Sequence, residues 1–135
     1  MYEFQCKIAR VVDGDTVDVD IDLGFDTWRL GERIRLYGID TPECRTRNAT
    51  EKKAGLAAKD CVKRRLQQGR TYVLTTKKKG KFGRYLGVIK LEDGTSINAE
   101  LVKENLAVAY HGQNKEDIEK AHQENYKKLK DRGVI

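Results

Sequence analysis

Two short acidic turns, Asp13-Gly14-Asp15-Thr16 and Asp40-Thr41-Pro42-Glu43, carry the residue types best suited to chemistry in this chain. Each borders a run with strand character, so each fixes carboxylates at a strand end, where side chains from distant segments can converge. Asp15 and Asp40 offer hard oxygens; with backbone carbonyls and water completing the set, that chemistry suits Ca²⁺, and Mg²⁺ less well. Glu43 follows Asp40 by three residues across a proline that stiffens the turn, a placement suited to holding a water beside a cation. Arg35 lies five residues before Asp40, and a guanidinium there can fork two phosphate oxygens. Such a set could neutralise a phosphodiester, orient water and stabilise the extra charge of the transition state. A further basic run, Lys77-Lys78-Lys79-Gly80-Lys81-Phe82-Gly83-Arg84, reads equally as a phosphate-approaching loop or as a solvated hairpin tip with a salt-bridging arginine.

The charge distribution agrees with an anionic partner. The 135 residues include 27 Lys+Arg and 21 Asp+Glu, a formal net charge of +6, which favours the approach of polyanions. The segregation is more specific than the total. Lys59 to Arg84 holds ten Lys/Arg against one acid, Asp60, whereas Asp13 to Asp26 holds six Asp and no basic residue. The three cysteines, Cys6, Cys44 and Cys61, form no CxxC pair or His/Cys zinc spacing, and Cys6 and Cys61 fall on apolar faces as core residues. His111 and His122 have no partner at metal-ligand spacing and read as surface or interface residues. The sequence has neither a leader pattern nor an apolar run of membrane-spanning length, so the expectation is an intracellular protein, one that a processed secreted chain would share.

The elements that must position these residues follow from periodicity. Tyr2, Phe4, Cys6 and Ile8 alternate as in a half-buried strand, and Val17, Val19, Ile21 and Leu23 alternate with Asp18, Asp20 and Asp22. The same period of two aims Asp15 to the apolar side at the start of that strand, where a bare carboxylate is costly and calls for a partner or an ion. A loop over Gly24–Gly31, anchored by Trp28, precedes a third strand over Arg33–Ile39. Asn48 caps a helix carrying Ala54, Ala57, Ala58, Cys61, Val62 and Leu66 and ending at Gly69. Strands near Thr71–Thr76 and Arg84–Leu91, a short helix over Asn98–Asn105, an extended segment over Leu106–Tyr110 and a polar helix from Asn114 to about Asp131 complete the chain. Five strands with inserted helices fit a mixed α+β, mainly β fold: a five-stranded oligonucleotide-binding barrel flanked by three helices.

The succession Val11-Val12-Asp13-Gly14-Asp15-Thr16-Val17, Arg35-Leu36-Tyr37-Gly38-Ile39-Asp40-Thr41-Pro42-Glu43 and Lys81-Phe82-Gly83-Arg84 resembles the staphylococcal (thermo)nuclease family. Asn98-Ala99-Glu100-Leu101-Val102 and Ala107-Val108-Ala109-Tyr110 match in order as well. The resemblance runs from about Phe4 to Leu129 and is strongest to short, signal-less phage and bacterial members. It implies one nuclease domain over 1–135, binding one Ca²⁺ through the carboxylates of Asp15 and Asp40 and the backbone carbonyl of Thr41. It further implies that Glu43 activates or orients the attacking water, that Arg35 and Arg84 clamp the phosphate, and that Asp13 stands just outside the metal's ligands. Hydrolysis would cut the P–O5′ bond of DNA, with RNA as a second substrate, leaving 3′-phosphate ends. Lys81, Phe82 and Tyr110 would contact nucleic acid, Tyr110 by stacking on a base.

Two positions depart from the family pattern. Phe82 stands where founding members carry Tyr, so a hydroxyl that touches phosphate is missing. The second aromatic expected after Tyr110 is replaced around His111-Gly112. Single-stranded substrate, a monomeric state and no membrane partner complete the expectation. The competing reading is a non-catalytic nucleic-acid-binding barrel, which has no need to keep Asp15, Arg35, Asp40, Glu43 and Arg84 together.

Overall fold

A computed structural model describes residues 2–79 and 84–135. Five strands close into a barrel in the order β1 (Tyr2–Asp13), β2 (Thr16–Asp22), β3 (Trp28–Leu36), β6 (Tyr85–Lys90) and β5 (Thr71–Lys79), the last pairing back on β1. All pairs are antiparallel except β3 with β6. Closure removes the unpaired edges that an open sheet of this size would expose. The expected mainly-β barrel with three helices is therefore the fold observed. Helices α1 (Ala49–Arg65), α2 (Ile97–Lys103) and α3 (Lys115–Asp131) surround it, and a second, two-stranded sheet joins β4 (Ile39–Asp40) to β7 (Val108–Ala109).

The alternation of β1 and β2 fills the barrel. Cys6 lies opposite Ile21 and Ile8 opposite Val19, all buried, and Ile34, Leu36, Leu74 and Ile89 complete the interior. Truncating such a residue to alanine costs about 2–5 kcal/mol. The outward acids of β2 stabilise the exterior: Asp18 takes both prongs of Arg33 at 2.9 and 3.2 Å, while Asp20 and Asp22 accept from the backbone N–H groups of Gly31 and Gly24. Trp28 departs from expectation. It opens β3 on the exterior, partly exposed, with the Lys7 ammonium 5.3 Å above its ring. The third strand accordingly begins five residues earlier than its hydrophobic run suggests and breaks after Leu36. There Gly38, at φ +78, takes a left-handed turn that L-residues avoid.

Helix α1 starts as expected, with the Asn48 side chain accepting from the Glu51 N–H. Helix α2 starts one cap earlier, at Ser96, which leaves Asn98 inside the helix and buried. Helix α3 is capped by Asn114. Its polar sequence conceals a packed face: His122, Tyr126 and Leu129 are all buried, whereas Ile118 and Ala121 are only partly so. All three cysteines carry free thiols, Cys6 and Cys61 in the core.

Candidate active site

The two acidic turns meet because α1 offers them a face of small residues. A Cβ added to Gly14 would lie 2.8 Å from the Ala58 Cβ, and one added to Gly55 would lie 2.6 Å from the Glu43 carbonyl oxygen. Gly55 and Ala58 are thus the seat on which both turns rest. Asp15 is fixed further by its own carbonyl, which accepts from the Leu36 N–H at 2.8 Å, and by Thr16, whose hydroxyl donates to Asp15 Oδ1 at 2.9 Å.

Asp40 is positioned by the short β4–β7 pairing, in which it lies opposite Val108. The buried Asn98 side chain braces the approach to β4. Its Nδ2 donates to the carbonyls of Tyr37 at 2.8 Å and Gly87 at 3.2 Å, and its Oδ1 accepts from the Ile89 N–H at 3.3 Å. The chain after β7 is tied to the same turn, the Tyr110 N–H donating to the Gly38 carbonyl at 2.8 Å.

Arg35 stands between the turns. Its Nη2 is 3.5 Å from Asp15 Oδ2 and 3.8 Å from Asp40 Oδ1, while Nη1 donates to the Ile39 carbonyl at 3.3 Å. Both carboxylate distances exceed the 2.7–2.9 Å or so of a tight charge-assisted bond, so the guanidinium is held near two acids without being consumed by either. Arg35, Asp40, Thr41, Glu43, Arg84 and Tyr110 all line one open cleft of about 870 Å³. The Arg84 Nε is buried and has no hydrogen-bond partner among the described residues. The remainder of the Arg84 side chain lines the cleft. Burial pushes the Glu43 carboxyl above its ordinary value, helped by the charges of Asp15, Asp13, Asp40 and Glu51. Asp13 therefore acts on Glu43 through its field. Lys81 and Phe82 lie outside the described residues.

The sequence reading missed His122. Read above as a surface or interface residue, it is 5% exposed, and its Nε2 lies 2.7 Å from Asp40 Oδ2. Its spacing was legible in retrospect. Ile118, His122 and Tyr126 recur every four residues and Leu129 follows at three, a single helical face that includes the histidine. The expectation for His111 holds, since it is exposed. Cleft-lining Tyr126 was also missed; burial pushes its phenol up to about 12, with Glu51, Glu119 and Asp40 adding to the shift.

No group of three or more His, Cys, Asp or Glu side chains among the described residues is arranged to hold a metal ion. The available donors, two partly exposed carboxylates and a backbone carbonyl at Thr41, fit a hydrated hard cation better than a closed cage.

The fold and cleft define a closed five-stranded barrel that bears carboxylates and two guanidinium groups around one opening. The model of the family described as Staphylococcal nuclease homologue matches residues 33–132. The chain belongs to that family. It is similar to a thermonuclease of Staphylococcus intermedius, 39% identical over 103 residues covering 76% of this chain and 57% of that one. An uncharacterized endonuclease of Escherichia coli O157:H7 is 31% identical over 112 residues, covering 83% and 65% respectively. A micrococcal nuclease of Shigella flexneri is 33% identical over 116 residues, covering 80% and 59%. The chain thus spans 57% to 65% of the length of these relatives.

Proposed function

We propose that this protein is a Ca²⁺-dependent nuclease that hydrolyses phosphodiester bonds of DNA, and of RNA as a second substrate, cutting P–O5′ to leave 3′-phosphate ends. The observation that carries the reading is Arg35, suspended 3.5 Å from Asp15 and 3.8 Å from Asp40 at a cleft it shares with Glu43 and Arg84. A stable fold has no use for this concentration of partly buried charge, and a phosphate with a cation would satisfy all of it. The names thermonuclease, endonuclease and micrococcal nuclease borne by the relatives support the same class.

Asp15, Asp40 and the Thr41 carbonyl would hold Ca²⁺. Bound there, the cation would neutralise phosphate charge and favour ionisation of a nearby water. Glu43, already disposed to accept a proton, takes one from the attacking water as its oxygen bonds to phosphorus. The 5′-oxygen leaves with the bonding pair and is protonated by solvent. Arg84 offers its guanidinium to a phosphate oxygen, and Arg35 supplies a second guanidinium where negative charge grows. Tyr110, exposed at the cleft mouth, offers a ring for an unpaired base, which favours single-stranded substrate.

The test is turnover of denatured DNA with Ca²⁺ and with chelator, for wild type and Glu43→Gln. Cleavage should vanish in chelator and fall by about 10²–10³-fold in the variant. A Glu43→Gln protein that cleaves at the wild-type rate would remove Glu43 from the mechanism.

A further inference from the structure

His122 is a buried imidazole that the chemistry above does not use. It projects from α3, stacks beside Tyr126 with ring centroids 6.1 Å apart, and spends its Nε2 on Asp40. An ionised carboxylate only accepts, so Nε2 carries the proton of this bond. Nδ1 is buried without a partner among the described residues. Leucine would pack this position without burying a polar ring; among the described residues the histidine has one polar contact to justify it, and that contact is Asp40.

The bond divides Asp40 between two neighbours. Oδ2 faces His122 at 2.7 Å, and Oδ1 faces Arg35 Nη2 at 3.8 Å, a nitrogen that also lies 3.5 Å from Asp15 Oδ2. If Oδ2 were released, both oxygens could turn onto Arg35 and close a two-pronged pair. Such a pair would consume a cation ligand and a phosphate clamp at once. We propose that His122 is a positioning residue: by holding Oδ2 it presents Oδ1 of Asp40 to the cation and keeps Asp40 from closing on Arg35. This rests on the Ca²⁺-dependent reading above.

The experiment is Ca²⁺ binding by titration calorimetry without nucleic acid, on wild type, His122→Met and His122→Gln. Methionine and glutamine are alike in size and flexibility, but only glutamine can donate to Asp40. His122→Met should bind Ca²⁺ about 10- to 100-fold more weakly, and His122→Gln should recover most of the loss. In an Arg35→Gln background, where no guanidinium competes, the same His122→Met change should cost less. Thermal melts in chelator check that each variant is folded. Should His122→Met fail to fold, the wild-type imidazole serves as the probe: its Nε2–H resonance should shift along a Ca²⁺ titration with the calorimetric Kd. The proposal is overturned by a folded His122→Met that binds like wild type, by a His122→Gln as weak as His122→Met, or by an unmoved resonance. A wild-type protein that binds no Ca²⁺ would instead defeat the metal-dependent reading, and the proposal with it.

Discussion

Replacing Gly55 by alanine should separate activity from stability. A Cβ at this position lies 2.6 Å from the Glu43 carbonyl oxygen, 2.7 Å from its carbon and 2.8 Å from the Pro42 carbonyl oxygen. Ordinary contact begins at 3.4 Å, so the helix and the turn must part by about 0.8 Å. The three nearest opposing atoms are all backbone, so the closest contacts cannot be relieved by a side chain swinging away. Overpacking of this kind costs about 1–3 kcal/mol, while alanine returns about 1 kcal/mol of helix propensity, so the net loss of stability is about 0–2 kcal/mol. The displacement falls on the residue proposed to take the proton of water, and a shift near 1 Å in a reacting group can cost about 10²-fold. Gly55→Ala should therefore melt within several degrees of wild type yet turn over denatured DNA about 10- to 100-fold more slowly. Leu56→Ala, altered at the next, exposed position of α1, should keep its activity. A folded Gly55→Ala protein with undiminished turnover would refute the idea that α1 sets the position of Glu43.

Asn98→Ala removes three hydrogen bonds at once and takes the Asn98 partner from the Tyr37 carbonyl and the Ile89 N–H, while the Gly87 carbonyl keeps the Tyr37 N–H; denaturant melts should show a loss of about 2–4 kcal/mol. At alkaline pH the core thiol dominates. Burial pushes Cys6 from its ordinary 9.0 up to about 12, so the folded chain keeps a proton that the unfolded chain has released. Stability should be full below pH 9 and fall by about 1.4 kcal/mol per pH unit between 9 and 12, with Cys61 and Tyr126 adding in the same direction. Cys6→Ala should flatten that slope in melts at pH 8 to 10.5, and an unchanged slope would discount the thiol. Tyr110→Ala removes a stacking ring worth about 1–3 kcal/mol, and should raise KM by at least about fivefold while kcat stays near wild type.

The barrel was legible because its strands alternate cleanly. Cys6, Ile8, Val17, Val19 and Ile21 face inward as period two requires, and Asp18, Asp20 and Asp22 face out. Strand limits were less so. The exterior segment Trp28–Arg33 has no buried face, so pairing with β2, which hydropathy does not report, decides that it is strand. The acidic turns and Arg35 were found from residue type and spacing, because strand ends and a proline constrain them locally. Gly55 and His122 were not. Gly55 matters through a backbone contact on another segment, which leaves no periodic mark; His122 does fall on the periodic face of α3, but its partner, 82 positions away, is not written in that spacing.

Ca²⁺-dependent cleavage at P–O5′ is tested most directly by the ends of the products. A labelled single-stranded oligonucleotide cut by this protein in Ca²⁺ should yield fragments with 3′-phosphate and 5′-hydroxyl ends, and none when chelator replaces Ca²⁺. Fragments bearing 5′-phosphate, or the same fragments in chelator, would contradict the account.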